Sequence, residues 1–455
     1  VTKSTHTGES IGQLLNYWLP ELITLCVTVA LPPLFDSYLI AGLQSTAAYG
    51  ALGMATNFLH TLVKFSEAIP VAAIAVIGRH NGAKDHAGSA AHFINTLWTA
   101  ILLGLTQLII IWYAAPAIYQ WLGVPPDMAV LGAPFLRLRS LSVLLAFILL
   151  AILGFMRAIK NTRTPMLITL IGTGVYIVSS MIFVSGSYGI PACGMYGPAL
   201  AALLEYTTML CLALWFLKNT PDYKPYLLSL TQWTINWGAI GSIIQFSIPV
   251  IIDKSALSFS YVWLSKMLAT LGPDSIATFD IIKNLERSAI MPAAAFAQVV
   301  TFLVSNHLGA RNIAAARTTI IKILFLTSVL VSCTLIMLSI WAPTCIALLA
   351  PVPELISFAT PLLRLLSCLV VFDFVQLILA GALRGAGKVK TVMWIRFLSC
   401  LFFFLPISYI LSLYSFSSTS LQFFLIYGAF YCNTALMGAA FLFQLRQKYW
   451  YEKTL

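Results

Sequence analysis

Twelve apolar runs separated by short polar stretches dominate the chain, at roughly 11–42, 48–78, 88–118, 128–157, 163–186, 195–218, 237–269, 274–306, 319–343, 357–383, 391–414 and 421–446. A helix needs about 20 residues to cross about 30 Å of hydrocarbon. The pattern therefore predicts twelve transmembrane helices. Several runs exceed the minimum, which implies tilt or extension beyond the bilayer. The leading VTKSTHTGES is short and polar, and the first apolar run is too long for a signal-peptide core. It is read as the first span.

Composition narrows this further. Of 455 residues 60% are hydrophobic and 9% charged. Such a balance excludes a soluble globular protein and predicts an all-α polytopic membrane protein. The net charge of +11 invites nucleic acid or anionic lipid as partner, but its distribution points to the membrane. Most Lys and Arg residues fall at the N-terminus, in the loops after even-numbered spans and in the C-terminal tail. The loops after odd-numbered spans carry only Asp127, Asp274 and Glu354. The positive-inside rule then puts both termini in the cytoplasm. The eight cysteines are scattered singly with no CxxC or metal spacing, and read as small apolar core residues.

An internal repeat organises the spans. GFMRAIKNTRTPM (154–166) resembles GALRGAGKVKTVM (381–393), NGAKD (81–85) resembles LGARN (308–312), and APFLRLRS (133–140) resembles TPLLRLLS (360–367). All three pairs stand at one constant offset along the chain. Shared membrane composition does not predict matching Pro, Arg and Gly positions. The repeat gives six spans per half, so the halves insert the same way up, as parallel six-helix lobes related by an axis along the membrane normal. The expected division is an N-lobe at 1–218, a cytoplasmic connector at 219–236 and a C-lobe at 237–455. Two equivalent lobes with a cleft between them are the usual apparatus of alternating access.

Candidate chemistry lies in the carboxylates. Of fifteen, eight fall within predicted spans: Glu21, Asp36, Glu67, Glu205, Asp253, Asp280, Glu286 and Asp373. Acids at such depth mark ion pathways or pair with neighbouring cations. Asp280, Lys283 and Arg287 share a helix face, where mutual neutralisation is the plainer reading. Asp253 and Lys254 point in different directions and need not pair with each other. Glu21 and Glu67 lie toward the cytoplasmic side and are given little functional weight. Asp36, Glu205 and Asp373 have no Lys or Arg within one helical turn, which suits ion coupling. Asp36 also follows Pro32 and Pro33 in LPPLFDSYLIAG, where a kink frees carbonyls for a cation or water. The N-half equivalent of Asp373 is Ala146, so the acid is an addition to a site that otherwise takes a small residue.

Several motifs, in order and at two-lobe spacing, resemble the multidrug and toxic compound extrusion (MATE) family. These are FDSYLIAGLQSTAAYGALGM (35–54), IGRHNGAKD with SNHLGARN, and MRAIKNTRTPM with ALRGAGKVKTVM. FDFVQLILAGALRG (372–385) is similar to the NorM-like branch. The resemblance spans nearly the whole chain. It implies twelve helices in two bundles around a central V-shaped cavity, and export of organic, often cationic, compounds driven by H⁺ or Na⁺. No other cofactor is implied. The partners expected are a small organic substrate and membrane lipid around a monomer, with no nucleic acid. Asp36 matches the N-lobe coupling acid and Asp373 the C-lobe acid. The family's span-5 ligands are replaced here by Tyr176 and Ser180, and a span-6 Thr by Ala202, with Glu205 one turn on. Glu205 is therefore expected to share a proton with Asp36. Asp253 lies about one turn before the family's span-7 Glu, and is expected with Asp280 to serve C-lobe coupling or substrate. The bacterial inner (plasma) membrane is the expected location.

The nearest rival is a lipid-linked saccharide or lipid flippase of the same superfamily. It would need a cationic cavity, for which Arg137, Arg139, Lys254, Lys283, Arg287 and Arg364 are available, although Arg137 and Arg364 are repeat-equivalent and suggest a structural task. An enzyme is not expected: the six histidines form no HxxxH, and no acid–base set faces the bilayer. A non-transport membrane protein would not require two lobes with separate buried acids.

Overall fold

A computed structural model describes residues 8–41, 66–121, 126–186, 191–228, 235–414 and 418–447, with isolated residues at 189, 416 and 450–451. At 29–41, and at a few positions bordering the undescribed stretches, only the backbone is described. Among the described residues there is no strand. Lipid offers no partner to a backbone N–H or C=O, so segments this apolar satisfy their own hydrogen bonds as helices.

The helices of the first half are α1 (Ile11–Ala41), α2 (Ala68–Gly82), α3 (His86–Trp121), α4 (Pro126–Ala158), α5 (Arg163–Ser185) and α6 (Gly197–Asn219). A short α7 (Lys224–Leu228) follows in the connector. The second half contains α8 (Trp237–Ala269), α9 (Pro273–Gly309), α10 (Ile313–Ile340), α11 (Ala342–Leu349), α12 (Pro353–Ser367), α13 (Val370–Gly385) and α14 (Val389–Ser399). A π-helical turn (Cys400–Phe404), α15 (Leu405–Leu413) and α16 (Thr419–Arg446) complete it. Among the described residues nine stretches are long and apolar enough to cross a membrane, and α12 with α13 make a tenth if their bent pair is one span. The first expected span falls on α1, which runs unbroken through Pro32 and Pro33. Most of the second, 48–78, lies outside the described residues.

The chain divides into two compact units, Leu19–Ile248, and Val1–Trp18 with Pro249–Leu455. The first turns of α1 thus belong with the second half. There Trp18 stacks on Phe296 and donates from Nε1 to the Pro292 carbonyl at 3.0 Å. In the connector, Asn161 donates to the Tyr223 hydroxyl at 2.8 Å, and Tyr226 bonds to Asn81. Burial pushes the Tyr223 phenol up to about 12. Trp450, the repeat equivalent of Tyr223, is likewise buried.

The repeat is visible atom by atom. After α2, Ala83, Lys84 and Asp85 donate their N–H groups to Arg79, Asn81 and His80. After α9, Ala310, Arg311 and Asn312 donate to Asn306, Leu308 and His307. Lys84 and Arg311 take the left-handed conformation, with φ 61 and φ 57 degrees. Such a turn needs that conformation, and non-glycine residues seldom adopt it. Asp85 then caps α3 by accepting from the Gly88 N–H at 2.8 Å. Asn312 caps α10 in the same way through the Ala315 N–H at 3.0 Å. Each satisfies a donor that the helix start leaves unpaired. The Gly88 N–H, and after it His80, hold the Asp85 carboxyl below the usual range. Its contribution is therefore present near neutrality and is lost as pH falls through that lowered value. Arg137 donates from Nε to the Trp112 carbonyl at 2.9 Å, and Arg364 to Ser339 at 3.1 Å, again one repeat apart. Each of these two arginines braces a carbonyl, in keeping with the structural task that their equivalence suggests.

Two departures from the repeat matter. Helix α3 continues through Pro116, whereas at the equivalent Pro343 the chain has stopped α10 and begun α11. Helix α4 is continuous, whereas its counterpart is bent by 47° between α12 and α13. That bend falls just before Asp373.

Glycines set how closely the helices meet. A Cβ on Gly154 would lie 2.8 Å from Pro70 Cα; on its repeat partner Gly381, 2.7 Å from the Ala297 carbonyl oxygen; and on Gly385, 2.3 Å from that of Thr301. Backbone cannot step aside as a side chain can. Gly385→Ala is expected to destabilise the protein by about 1–3 kcal/mol through overpacking. Gly174→Ala, with nothing within 4 Å of the added carbon, should be neutral or slightly stabilising. Thermal unfolding in detergent compares the two, and equal midpoints would refute the close packing of α9 on α13.

Candidate functional site

The C-terminal unit buries two polar groups among α8, α9, α13, α14 and α16. Its acids are Asp253 on α8, Glu286 on α9 and Asp373 on α13, exposed by 1%, 3% and 8%. Asp253 is ion-paired with two arginines: Arg396 Nη1 lies 2.7 Å from Oδ1, and Arg384 Nη2 bonds Oδ2. Arg396, itself buried, also donates from Nη2 to Gln376 Oε1 at 2.7 Å. Gln376 in turn donates from Nε2 to Asp373 Oδ1 at 3.0 Å. One glutamine and one arginine thus connect Asp373 to Asp253.

Asp373 sits in the first turn of α13, immediately after the bend. A helix start offers unpaired N–H groups and a favourable dipole to a carboxylate. At the equivalent place in α4 the chain has Ala146, buried inside an unbroken helix. The acid and the helix break arrive together.

Glu286 faces a different set of groups. Tyr427 donates its hydroxyl to Oε2 at 2.5 Å, and Tyr431 lies at the same carboxyl. The Tyr427 and Tyr431 rings stack 5.5 Å apart, and Phe279 meets Tyr427 edge-on. Oε1 accepts no hydrogen bond of good geometry among the described residues.

The first unit carries a group of its own. On α5, Thr173, Tyr176 and Ser180 are buried on one face, and the Thr173 and Ser180 hydroxyls have no hydrogen-bond partner among the described residues. Tyr176 packs with Ala201 and Ala202 of α6. Glu205 is half-buried one turn further along α6, and Glu205, Glu67 and Arg139 all act electrostatically on Tyr206. The side chain of Asp36 lies outside the described residues, so its expected pairing with Glu205 does too. Glu21, the other acid of α1, pairs with Arg157 Nε at 2.7 Å. Arg157 is the repeat partner of Arg384, so each unit ties this arginine to an acid of its first helix. Asp280 is exposed and pairs with Lys283 at 2.7 Å, as its helical spacing suggests.

An apolar cavity of about 300 Å³ opens beside this C-terminal group, lined by Ile252 and Phe259 of α8 and by Phe397, Cys400 and Leu401 around the π-helical turn. Among the described residues no His, Cys, Asp or Glu cluster has the geometry to hold a metal ion.

The MatE family model matches residues 20–182 and again residues 249–410. The chain belongs to the MatE family. The two matches fall on the two repeats, and the second contains Asp253, Glu286, Asp373, Arg384 and Arg396. Among MatE relatives, a probable multidrug resistance protein NorM of Mannheimia succiniciproducens is 25% identical over 380 residues, covering 82% of this chain and 80% of that one. The Bacillus subtilis protein of the same name is 22% identical over 422 residues, 91% of each. A crystal structure of MATE in complex with MaL6 superposes with a TM-score of 0.86 at 18% identity, covering 98% of both chains. An outward-facing MATE family transporter gives 0.85 at 17% identity, over 95% and 94%. The fold is that of MATE transporters.

Gln376, Arg396, Tyr427 and Tyr431 had no weight in the sequence as site residues, and Glu286 counted only as one of the eight acids within spans. Their signal is weak but present: each is a polar position on an otherwise apolar helix face. Tyr427 and Tyr431 recur at i and i+4, which aligns them on α16.

Proposed function

We propose that this MatE protein is a secondary antiporter that exports organic, cationic drugs or metabolites by alternating access in exchange for H⁺ or Na⁺. It works as a monomer in the bacterial inner membrane, with both termini cytoplasmic and lobes at 1–218 and 237–455 joined by 219–236. The observation that carries this reading is Asp373: a buried carboxyl at a helix start, created by a bend and an acid that its repeat partner lacks. A carboxylate kept at such depth is costly unless it binds a cation or proton in the course of function. In the N-lobe the corresponding role is assigned to Asp36, with Glu205, Tyr176 and Ser180 as its partners. Asp253, held between Arg384 and Arg396, orients the C-lobe group and does not itself load the ion. Asp280, exposed and paired with Lys283, is assigned with Asp373 to C-lobe coupling or substrate.

Efflux of ethidium from proteoliposomes tests the reading, under an imposed pH gradient, an imposed Na⁺ gradient, or neither. Gradient-dependent efflux is expected, and the effective gradient names the ion. Movement of a fluorescent lipid-linked saccharide instead of ethidium would favour the flippase. Absence of gradient-dependent movement of either compound would overturn antiport.

A further inference from the structure

Among the described residues, Glu286 stands outside the ion pairs of the C-terminal unit. Asp253 and Asp373 are connected to two arginines, Arg384 and Arg396, and Lys283 is taken by Asp280. Glu286 is the buried acid left over among the described residues. Its nearest polar neighbours are phenols, which can donate a hydrogen bond but cannot cancel a charge. An isolated ionised carboxylate in such surroundings is among the costliest groups a protein can bury.

We propose that Glu286 is a proton-binding site of the C-terminal unit, formed with Tyr427 and Tyr431, and that it exchanges its proton in step with Asp373. In the loaded state Glu286 Oε1, which accepts no hydrogen bond of good geometry among the described residues, carries the proton as a neutral acid, while Oε2 keeps the Tyr427 hydrogen bond. On unloading, the O–H bond breaks, the proton passes to water, and the carboxylate is left with the Tyr427 and Tyr431 hydroxyls. Nothing is oxidised or reduced.

The titratable and charged groups facing it come from every side. Arg287 and Lys283 lie on its own helix, with Lys283 turned to Asp280 and lying 4.8 Å above the Phe279 ring. Tyr261 on α8 lies within electrostatic reach of both Glu286 and Asp373, and of Arg287 and Arg396. Asp373 on α13 acts directly on Glu286, and α16 supplies the two tyrosines. Two acids that sense each other do not ionise independently, so loading one biases the other. The site is packed with ring against ring, which suits a proton and leaves the substrate's bulk to be held elsewhere.

The role in transport rests on the antiport reading, whereas proton binding does not. The first readout is accordingly spectroscopic. Infrared difference spectra of the purified protein between about pH 5 and about pH 9 are expected to contain a protonated-carboxyl band. Glu286→Gln should remove one component of it and leave that of Asp373, and Tyr427→Phe, which keeps the ring packing, should displace the titration midpoint of the Glu286 component. If the parent shows no band that titrates in this range, or Glu286→Gln leaves the spectrum unchanged, the proposal is overturned. Should Glu286→Gln fail to fold, an undisplaced midpoint in Tyr427→Phe would overturn it equally.

The second readout is ethidium efflux driven by a pH gradient, expected to fall at least tenfold in Glu286→Gln. Efflux equal to the parent's would overturn the coupling role. A parent that transports nothing under any gradient would overturn antiport, with the infrared result still deciding proton binding at Glu286.

Discussion

Asp253→Ala is expected to destabilise the protein by about 3–5 kcal/mol, the range for removing one partner of a buried ion pair. Asp253 is 1% exposed and faces Arg384 and Arg396, of which Arg396 is almost as deeply buried. The variant would leave both guanidiniums uncompensated and would free Arg396 to draw Gln376 away from Asp373. Arg396→Leu combined with Asp253→Leu should recover much of the loss, because paired charges replaced by packed apolar groups often cost little. Asp280→Ala is the contrast: its pair with Lys283 is exposed. Pairs of that kind contribute at most about 1 kcal/mol. Thermal unfolding in detergent ranks the three. If Asp253→Ala unfolds no earlier than Asp280→Ala, the arginine pairing does not hold the unit together.

Much of the fold was legible because the membrane restricts what a chain can do. Apolar length specifies a helix, and the expected span 237–269 coincides with α8. The repeat was legible because it involves residues whose chemistry is geometric. Gly154 and Gly381 lie where helices touch, and Arg137 and Arg364 each reach back to a carbonyl 25 residues earlier in the chain. The bend before α13 was not legible. No proline or glycine marks residues 367–369, and the equivalent stretch of α4 stays helical.

The candidate site was legible only where sequence neighbours decide the matter. Asp280 and Lys283 stand at i and i+3, and the helix brings them together. The partners of Asp253 lie on other helices far along the chain, at Arg384 and Arg396. The sequence shows that Asp253 need not pair with Lys254, but it does not show which distant cation it meets. Glu286 was obscured by the opposite effect. Lys283 and Arg287 flank it in sequence, yet the helix carries Asp280 and Arg287 to the exposed side and Glu286 with Phe279, Ile282 and Ala289 to the buried one. A charge count along the chain cannot separate these two faces, and packing against α16 does.

Asp373→Asn should abolish gradient-driven efflux, a loss of at least about tenfold, or about 1.4 kcal/mol in the rate-limiting barrier. Its fold should remain intact. Asparagine has the shape of aspartate and keeps an oxygen to accept from Gln376 Nε2, so the connection through Arg396 to Asp253 survives. What it loses is the ability to exchange a proton or hold a cation at the start of α13. The unfolding midpoint should therefore stay close to the parent's while transport falls, which separates it from Asp253→Ala, where both fall together. Asp36→Asn is expected to reduce efflux in the same assay through the other half of the chain. Ala146→Asp, which places an acid at the repeat-equivalent point of α4, should not restore Asp373→Asn, because α4 continues unbroken there and offers no helix start. Parental efflux in both Asp36→Asn and Asp373→Asn would sink the assignment of the coupling acids. Restoration by Ala146→Asp would show that the bend contributes nothing to the task of Asp373.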